Sequence, residues 1–228
     1  MKRHILSRSV ALAAAMQAGV TYAAPFLEEI VVTAQKREQS MSDVSLSVSA
    51  FTGETMRALN FREPRDLTAM VANMDIKGTQ GDINPAVTIR GIGLNNFNAN
   101  NNPTVGIYVD EVFLSSAAMM TLMMLDVERL EVLKGPQGTL YGRNSSGGAI
   151  NIHSKRPTQE LDGFVDVSFG NYDTFRVEGG IGGPLTDNLS GRISGLYDDR
   201  GESFHENRIG KDFDGVTNSS LRGQLQWD

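Results

Sequence analysis

Beyond residue 160, apolar side chains recur at every second position with charged or hydroxylated residues between them. Val165, Val167 and Phe169 alternate with Asp166 and Ser168, and Phe175, Val177 and Ile181 with Arg176 and Glu178. Leu189, Ile193 and Tyr197 stand against Ser190, Arg192, Ser194 and Asp198, and Leu221, Leu225 and Trp227 against Arg222, Gln224 and Gln226. A period of two makes a strand with two unlike faces, so about four such strands are predicted over residues 159–228. In a soluble sandwich the apolar face would bury against a second sheet, whereas in an outer-membrane barrel it would meet lipid while the charged face lines the lumen. Periodicity alone leaves both open. The connections favour the barrel, because Gly170 to Asp173 and Gly183 to Asn188 read as tight turns and Arg200 to Val216 as a long polar loop on the side opposite the Gly183 turn. Even the smallest such barrels need about eight strands, and open edges in lipid leave backbone groups unpaired at several kcal/mol each. The expectation is a partial barrel that would not persist alone as an inserted pore.

The N-terminus opens with Lys2, Arg3 and Arg8, followed by an apolar stretch from Val10 to Val20 and small residues at Thr21 and Ala23. That is the grammar of a secretory signal peptide, residues 1–23, cleaved after Ala23. A stretch of this length, interrupted by Gln17, falls short of the ~20 residues that cross a bilayer as a helix. Its removal takes away three cations and no acids, shifting the formal charge from −6 to −9. An acidic exported chain is a poor partner for nucleic acid. There is no cysteine, which excludes a disulfide framework and thiolate metal ligation. No later apolar run reaches helix-spanning length, so membrane residence after cleavage would require strands.

Between these ends lies a different pattern. Residues 24–45 form an N-terminal extended segment that begins with a β-prone run, Glu29, Ile30, Val31, Val32, Thr33 and Ala34. It reads equally as the first strand of a domain or as a strand added to another protein's sheet edge. Over residues 46–158 short strands and helices mix in a compact α/β unit. Leu67, Met70, Val71 and Met74 predict a helix starting at Pro64. Short strands are expected at Val87 to Arg90, Gly106 to Val109, Val112 to Leu114, Glu128 to Leu133 and Ala149 to Ile152, with a turn at Gly135 to Gly138. A buried helix is expected over Ala117 to Leu125, its methionines filling core.

One stretch is unusually specific. The run Asp126-Val-Glu-Arg-Leu-Glu-Val-Leu-Lys-Gly-Pro-Gln-Gly-Thr-Leu-Tyr-Gly-Arg-Asn-Ser-Ser-Gly-Gly-Ala-Ile-Asn-Ile152 closely resembles the plug signature of TonB-dependent outer-membrane receptors. Val87-Thr-Ile-Arg-Gly-Ile-Gly93 and Val105-Gly-Ile-Tyr-Val-Asp110 resemble inner plug strands of the same family, and Glu29 to Ala34 is similar to its TonB box. The resemblance implies an α/β plug, a small mixed sheet with short helices, followed by the first antiparallel strands of an incomplete transmembrane β-barrel. The plugged lumen of 22-stranded transporters is that architecture, and about eighteen further strands would complete it. The sequence departs from the family at Glu111, where members commonly carry glycine after Tyr-Val-Asp. If that turn needs a positive φ, Glu111 costs stability or changes the turn type.

The resemblance also implies a function. The chain would begin a receptor for TonB-dependent active uptake in the outer membrane. Its ligand would be a scarce small-molecule chelate such as a ferric siderophore. TonB, driven by its inner-membrane energising complex, would pair with the box Glu29, Ile30, Val31, Val32, Thr33 and Ala34 by strand addition, which asks for β-propensity more than for particular side chains. Asn95, Asn96, Phe97, Asn98, Asn100 and Asn101, between two plug strands, are the candidate ligand-facing tract, offering amides for a polar chelate and one stacking ring. Arg129, Lys134 and Arg143 are candidates for contact with acidic groups on the barrel wall. No catalytic residues, resident metal or cofactor are expected. His153 and His205 lack ligand spacing, Gly91-Ile-Gly93 lacks the third glycine of a dinucleotide fingerprint, and Ser145 and Ser146 lack a nucleophile elbow. The alternative reading is a soluble periplasmic plug-type module that engages TonB or a ligand without forming a channel.

Overall fold

The computed structural model describes residues 30–61, 64–78, 85–94, 102–115, 119, 124–201, 209 and 215–227. The signal sequence, Glu29, the candidate ligand tract from Asn95 to Asn101, most of the methionine-rich stretch and most of the polar loop after Arg200 lie outside them.

At the centre is a five-stranded mixed sheet. It is built from β3 (Ser47–Thr52), β7 (Val105–Val109), β8 (Val112–Leu114), β9 (Val127–Lys134) and β10 (Gly148–Ser154), in the order β3-β9-β10-β7-β8. Only β10 and β7 run parallel. The central strands are buried on both faces over Leu130 to Leu133 of β9 and Gly148 to Ile152 of β10, with Glu131 and Asn151 the polar side chains enclosed there. On one face Leu130, Val132, Ile150, Ile152, Val105 and Ile107 form the main core with Met56 of α1 (Gly53–Ala58), Leu67 of α2 (Leu67–Met70) and Val71. Ile76 and Ile89 join it from a second sheet, the antiparallel meander β4 (Met74–Gly78), β5 (Pro85–Ile89) and β6 (Ile92–Gly93). The other face is covered by residues 30–46, where β1 (Val31–Val32) pairs with β2 (Gln39–Ser40).

The helix expected from Pro64 to Met74 stops early. A 3-10 turn at Pro64–Asp66 leads into the single turn of α2, Val71 is already extended at φ −107°, ψ 109°, and Asn73 adopts φ +61° before Met74 opens β4. Leu67, Val71 and Met74 are buried as a helical stripe would require, but Met70 is 44% exposed. The i, i+3, i+4, i+7 pattern was met by two elements sharing one core.

The β7–β8 hairpin turns on Asp110 and Glu111, at φ +47° and +69°. Positive φ at both central residues is the type I′ condition that favours glycine, so Glu111 carries the strain its sequence position implied. Gly148 is held by space as well as by φ. A Cβ there would stand 2.3 Å from the Leu133 carbonyl oxygen, and its φ is +152°.

The last four strands form a separate antiparallel meander, β11 (Asp162–Gly170), β12 (Thr174–Thr186), β13 (Leu189–Arg200) and β14 (Val216–Trp227). Register places Val167, Val177 and Tyr197 in one row and Ile181 and Ile193 in another, all on one face with Phe169, Leu221 and Leu225. That face is open: Val165, Phe169 and Leu221 are each 78% exposed. The opposite face carries Arg176, Glu178, Arg192, Ser194 and Arg222, and Arg176, Arg192 and Ser194 are buried against what it packs on. The turn expected over Gly183 to Asn188 is shorter than the sequence suggested. β12 continues to Thr186 through an irregularity at Pro184, leaving Asp187 and Asn188 as the loop. Pro184 lies beyond the end of the β11 ladder at Gly182, so its missing N–H breaks no pairing with β11.

Candidate strand-docking site and plug anchor

The segment Ile30–Ala34 lies on the plug. Val32 and Ala34 are fully buried in an apolar cluster with Tyr108, Leu133 and Ala149, while Val31 stays 47% exposed. Thr33 between them faces a polar spot that the sheet supplies from below. Residues 129, 131, 151 and 153 alternate onto the same side of β9 and β10 as Leu133 and Ala149. This brings Arg129, Glu131, Asn151 and His153 beneath Thr33. The Thr33 backbone N–H donates to Glu131 Oε1 at 2.8 Å, its hydroxyl lies 3.3 Å from the same oxygen, and Arg129 donates to Glu131 at 3.0 Å and to the Thr33 hydroxyl at 3.2 Å. His153 Nε2 sits 3.2 Å from Thr33 Oγ1 and 3.6 Å from Glu131 Oε1. One position on, Tyr141 of α3 (Gly138–Tyr141) donates its hydroxyl proton to the Ala34 carbonyl at 3.0 Å while accepting from Asn151 at 2.7 Å.

A buried carboxylate survives only when it is paired and hydrogen-bonded. Burial pushes the Glu131 acid upward, but the His153 ring nearby and hydrogen bonds from the Thr33 N–H and Arg129 outweigh it and hold the group at about 2. Glu131 is therefore an anion at any ordinary pH. Burial raises the Tyr141 phenol, which keeps it a proton donor. Thr33, Arg129, Tyr141, Asn151 and His153 line a cleft of about 350 Å³ whose rim adds Lys36, Arg37, Glu38, Glu111, Glu128 and Arg156.

The plug meets the four-strand sheet at a second polar centre, Asp126. Its carboxylate, 1% exposed, accepts two hydrogen bonds from Arg192, at 2.6 and 2.8 Å, and one from the Ser194 hydroxyl. Its N–H donates to Glu178 at 2.9 Å, and its carbonyl accepts from Arg222 at 3.0 Å. Arg222 also donates to Ser154 and to the Leu125 carbonyl. Thus β12, β13 and β14 all grip one residue at the foot of β9. Burial would raise the Asp126 acid, but hydrogen bonds from Arg192 and Ser194 hold it below the ordinary carboxylate range. Arg57 of α1 adds a contact at 4.6 Å over the Phe164 ring.

Of the three cations expected at the wall, Arg129 is engaged with Glu128, Glu131 and Thr33, and Lys134 donates to Ser49 of β3. Arg143 is exposed. Among the described residues the contact with these four strands is made by Leu125, Asp126, Ser154, Lys155 and Arg57 on the plug side, Lys155 pairing with Asp162 at 2.5 Å. The residues 95, 96, 97, 98, 100 and 101 lie outside the described part. Sequence reasoning did not find Glu131 or Asp126. The one available signal for Glu131 was a lone acid inside the apolar run Leu130 to Leu133, at a position where a two-sided buried strand tolerates only a paired charge.

The comparisons agree with this geometry. A family model described as the TonB-dependent Receptor Plug Domain matches residues 40–149. The pesticin receptor of Yersinia pestis is 29% identical over 163 residues, 70% of this chain and 24% of that protein. The ferripyoverdine receptor of Pseudomonas aeruginosa is 29% identical over 172 residues, 75% and 20% respectively. Among solved structures, the ferric yersiniabactin uptake receptor FyuA from Yersinia pestis superposes with TM-score 0.70 at 26% identity, covering 79% of this chain and 28% of that one. FpvA from P. aeruginosa, bound to heterologous pyoverdines, gives 0.71 at 25% identity over 87% and 25%. The chain spans about a quarter of the length of the curated relatives it matches first. With its mixed-sheet plug at residues 40–149 seated on antiparallel strands that turn their apolar face outward, the chain belongs to the TonB-dependent receptors.

Proposed function

We propose that this chain is the plug-bearing part of an outer-membrane receptor that takes up a ferric siderophore or a chelate of similar chemistry, powered by TonB. The observation that carries the reading is the orientation of the four strands, charged face on the plug and apolar face open, which suits a plug inside a lipid-facing wall. Residues 1–23 direct export and are removed, and the mature chain resides in the outer membrane. The chemistry is binding and transport, without catalysis. The relatives' names point to the ligand class, since they include receptors for ferripyoverdine and ferric enterobactin. The tract Asn95, Asn96, Phe97, Asn98, Asn100 and Asn101 supplies ligand contacts, and Arg143, exposed on the plug, is the cation offered to the wall.

TonB acts at Glu29 to Ala34. An edge strand of TonB pairs with this segment through backbone N–H and C=O groups, and the pull it transmits displaces the plug. The test is capture of the chain by the TonB C-terminal domain before and after Val31→Pro, a substitution that removes one ladder donor and fixes φ. Loss of capture supports strand addition; undiminished capture overturns it. Recovery of the mature chain in the periplasmic rather than the outer-membrane fraction would overturn the membrane assignment.

A further inference from the structure

We propose that the cleft between residues 33–38 and the sheet is a binding site for a small zwitterion, an ammonium and a carboxylate carried on one short backbone, as in an amino acid or a dipeptide. It would be a site of its own, apart from strand addition and from any ligand taken up through the wall. The floor of the cleft holds an acceptor with nothing to accept. Asn151 is 5% exposed, and its side-chain Oδ1 has no hydrogen-bond partner among the described residues. Turning the amide over does not cure this. Its nitrogen donates to the Tyr141 phenol oxygen at 2.7 Å and to Glu131 Oε2 at 3.4 Å, and the phenol has already given its proton to the Ala34 carbonyl. Reversed, Oδ1 would face a lone pair and a carboxylate. A buried acceptor left unmet is costly, so the floor calls for a donor from whatever fills the cleft.

The surrounding charges select the donor and what it is attached to. Glu131 is ionised behind the amide, and Glu111 stands on the rim, near enough to the Tyr141 phenol that its charge adds to burial, the main cause, in raising that group. Beside two anions, an ammonium answers Oδ1 better than a neutral hydroxyl or amide does. The same rim carries Lys36, whose Nζ lies 5.7 Å from the centre of the Tyr141 ring, and Arg156. Among the described residues neither cation has a carboxylate partner, and Glu111 has no cationic one. A purely anionic ligand would meet Glu111 and Glu131, and a purely cationic one Lys36 and Arg156, whereas a ligand bearing both signs complements all of them. At about 350 Å³ the cleft stands at the small end of ligand sites, which begin near 300 Å³, as a ligand of one or two residues requires.

The Asn151 side-chain amide reports on the site directly. Titrating the isotope-labelled chain in detergent micelles with alanyl-alanine should shift its NH₂ resonances saturably at millimolar concentration or below. N-acetylation of the dipeptide, or amidation of its carboxylate, should each weaken binding about tenfold, because each removes one charge-assisted contact. Glu111→Gln and Arg156→Gln, both at exposed positions, should each weaken it several-fold with the thermal midpoint unchanged. Asn151→Leu removes the acceptor and should abolish binding, followed at the Thr33 N–H; should that variant fail to fold, the two rim variants decide. Alanine binding as tightly as the dipeptide supports a free amino acid as the occupant, and weaker binding supports a peptide. No saturable shift with alanine, the dipeptide or either derivative, the outcome of an acceptor met by water only, overturns the site. Undiminished binding of the acetylated or amidated dipeptide, or of the parent dipeptide to both rim variants, overturns the zwitterion.

Discussion

Replacing Asp126 with asparagine tests the anchor between plug and wall. Asp126 has φ +48°, a conformation asparagine accepts readily, so the substitution removes the charge without adding backbone strain. Its contacts through N–H to Glu178 and through C=O to Arg222 and the Lys155 N–H are backbone contacts and remain. What is lost is the bidentate ion pair with Arg192, whose side chain is also 1% exposed and keeps only Asp162, at 3.1 Å, as a charged partner. Breaking a buried pair from one side costs about 3–5 kcal/mol, because the remaining charge is stranded; an amide that still accepts one hydrogen bond puts Asp126→Asn near the lower end, about 3 kcal/mol. Arg192→Met should cost a similar amount by stranding the carboxylate. The double variant strands neither charge and should be much less destabilised than the sum. Urea midpoints of the four proteins in detergent, with the slope held common, give the coupling. A loss below about 1 kcal/mol in Asp126→Asn, or additive single effects, would refute the anchor.

Two further predictions follow from groups already described. Glu131 ionises at about 2 in the folded chain against 4.5 when unperturbed, so its contribution is complete above pH 4.5 and lost as pH falls towards 2. The depression corresponds to about 3 kcal/mol, and the stability of the parent minus that of Glu131→Gln should shrink by that order over this window; a flat difference would contradict it. Glu111→Gly should stabilise the β7–β8 hairpin by about 1 kcal/mol, since glycine adopts φ +69° without a Cβ penalty, and a lowered thermal midpoint would contradict that.

The strands of residues 162–227 were the most legible part of the sequence because a period of two needs no knowledge of partners. Val165 to Phe169 announce their two faces whatever sheet they join, and the resemblance of Asp126 to Ile152 then identified the unit inside. The stretch from Leu67 to Met74 was misread because four positions fit a helical stripe by coincidence, and Asn73 gave no local sign that it would turn left-handed. Asp126 and Arg192 are 66 residues apart, so no spacing rule connects them. The segment Ile30 to Ala34 was visible as a β-prone run, but its docking on the plug was not. Burial of Val32 and Ala34 depends on the opposite face of β9 and β10, where Glu131 and Asn151 look like interruptions until Thr33 and Tyr141 are placed above them.

The outward apolar face is best tested by nitroxide labels placed one at a time, through single cysteines, at each position from Val165 to Phe169 of the chain reconstituted in lipid. Collision with oxygen, which concentrates in the bilayer, should be high at 165, 167 and 169 and low at 166 and 168. An inverted pattern, or none, would mean that this face does not meet lipid and that the plug-in-wall account is wrong.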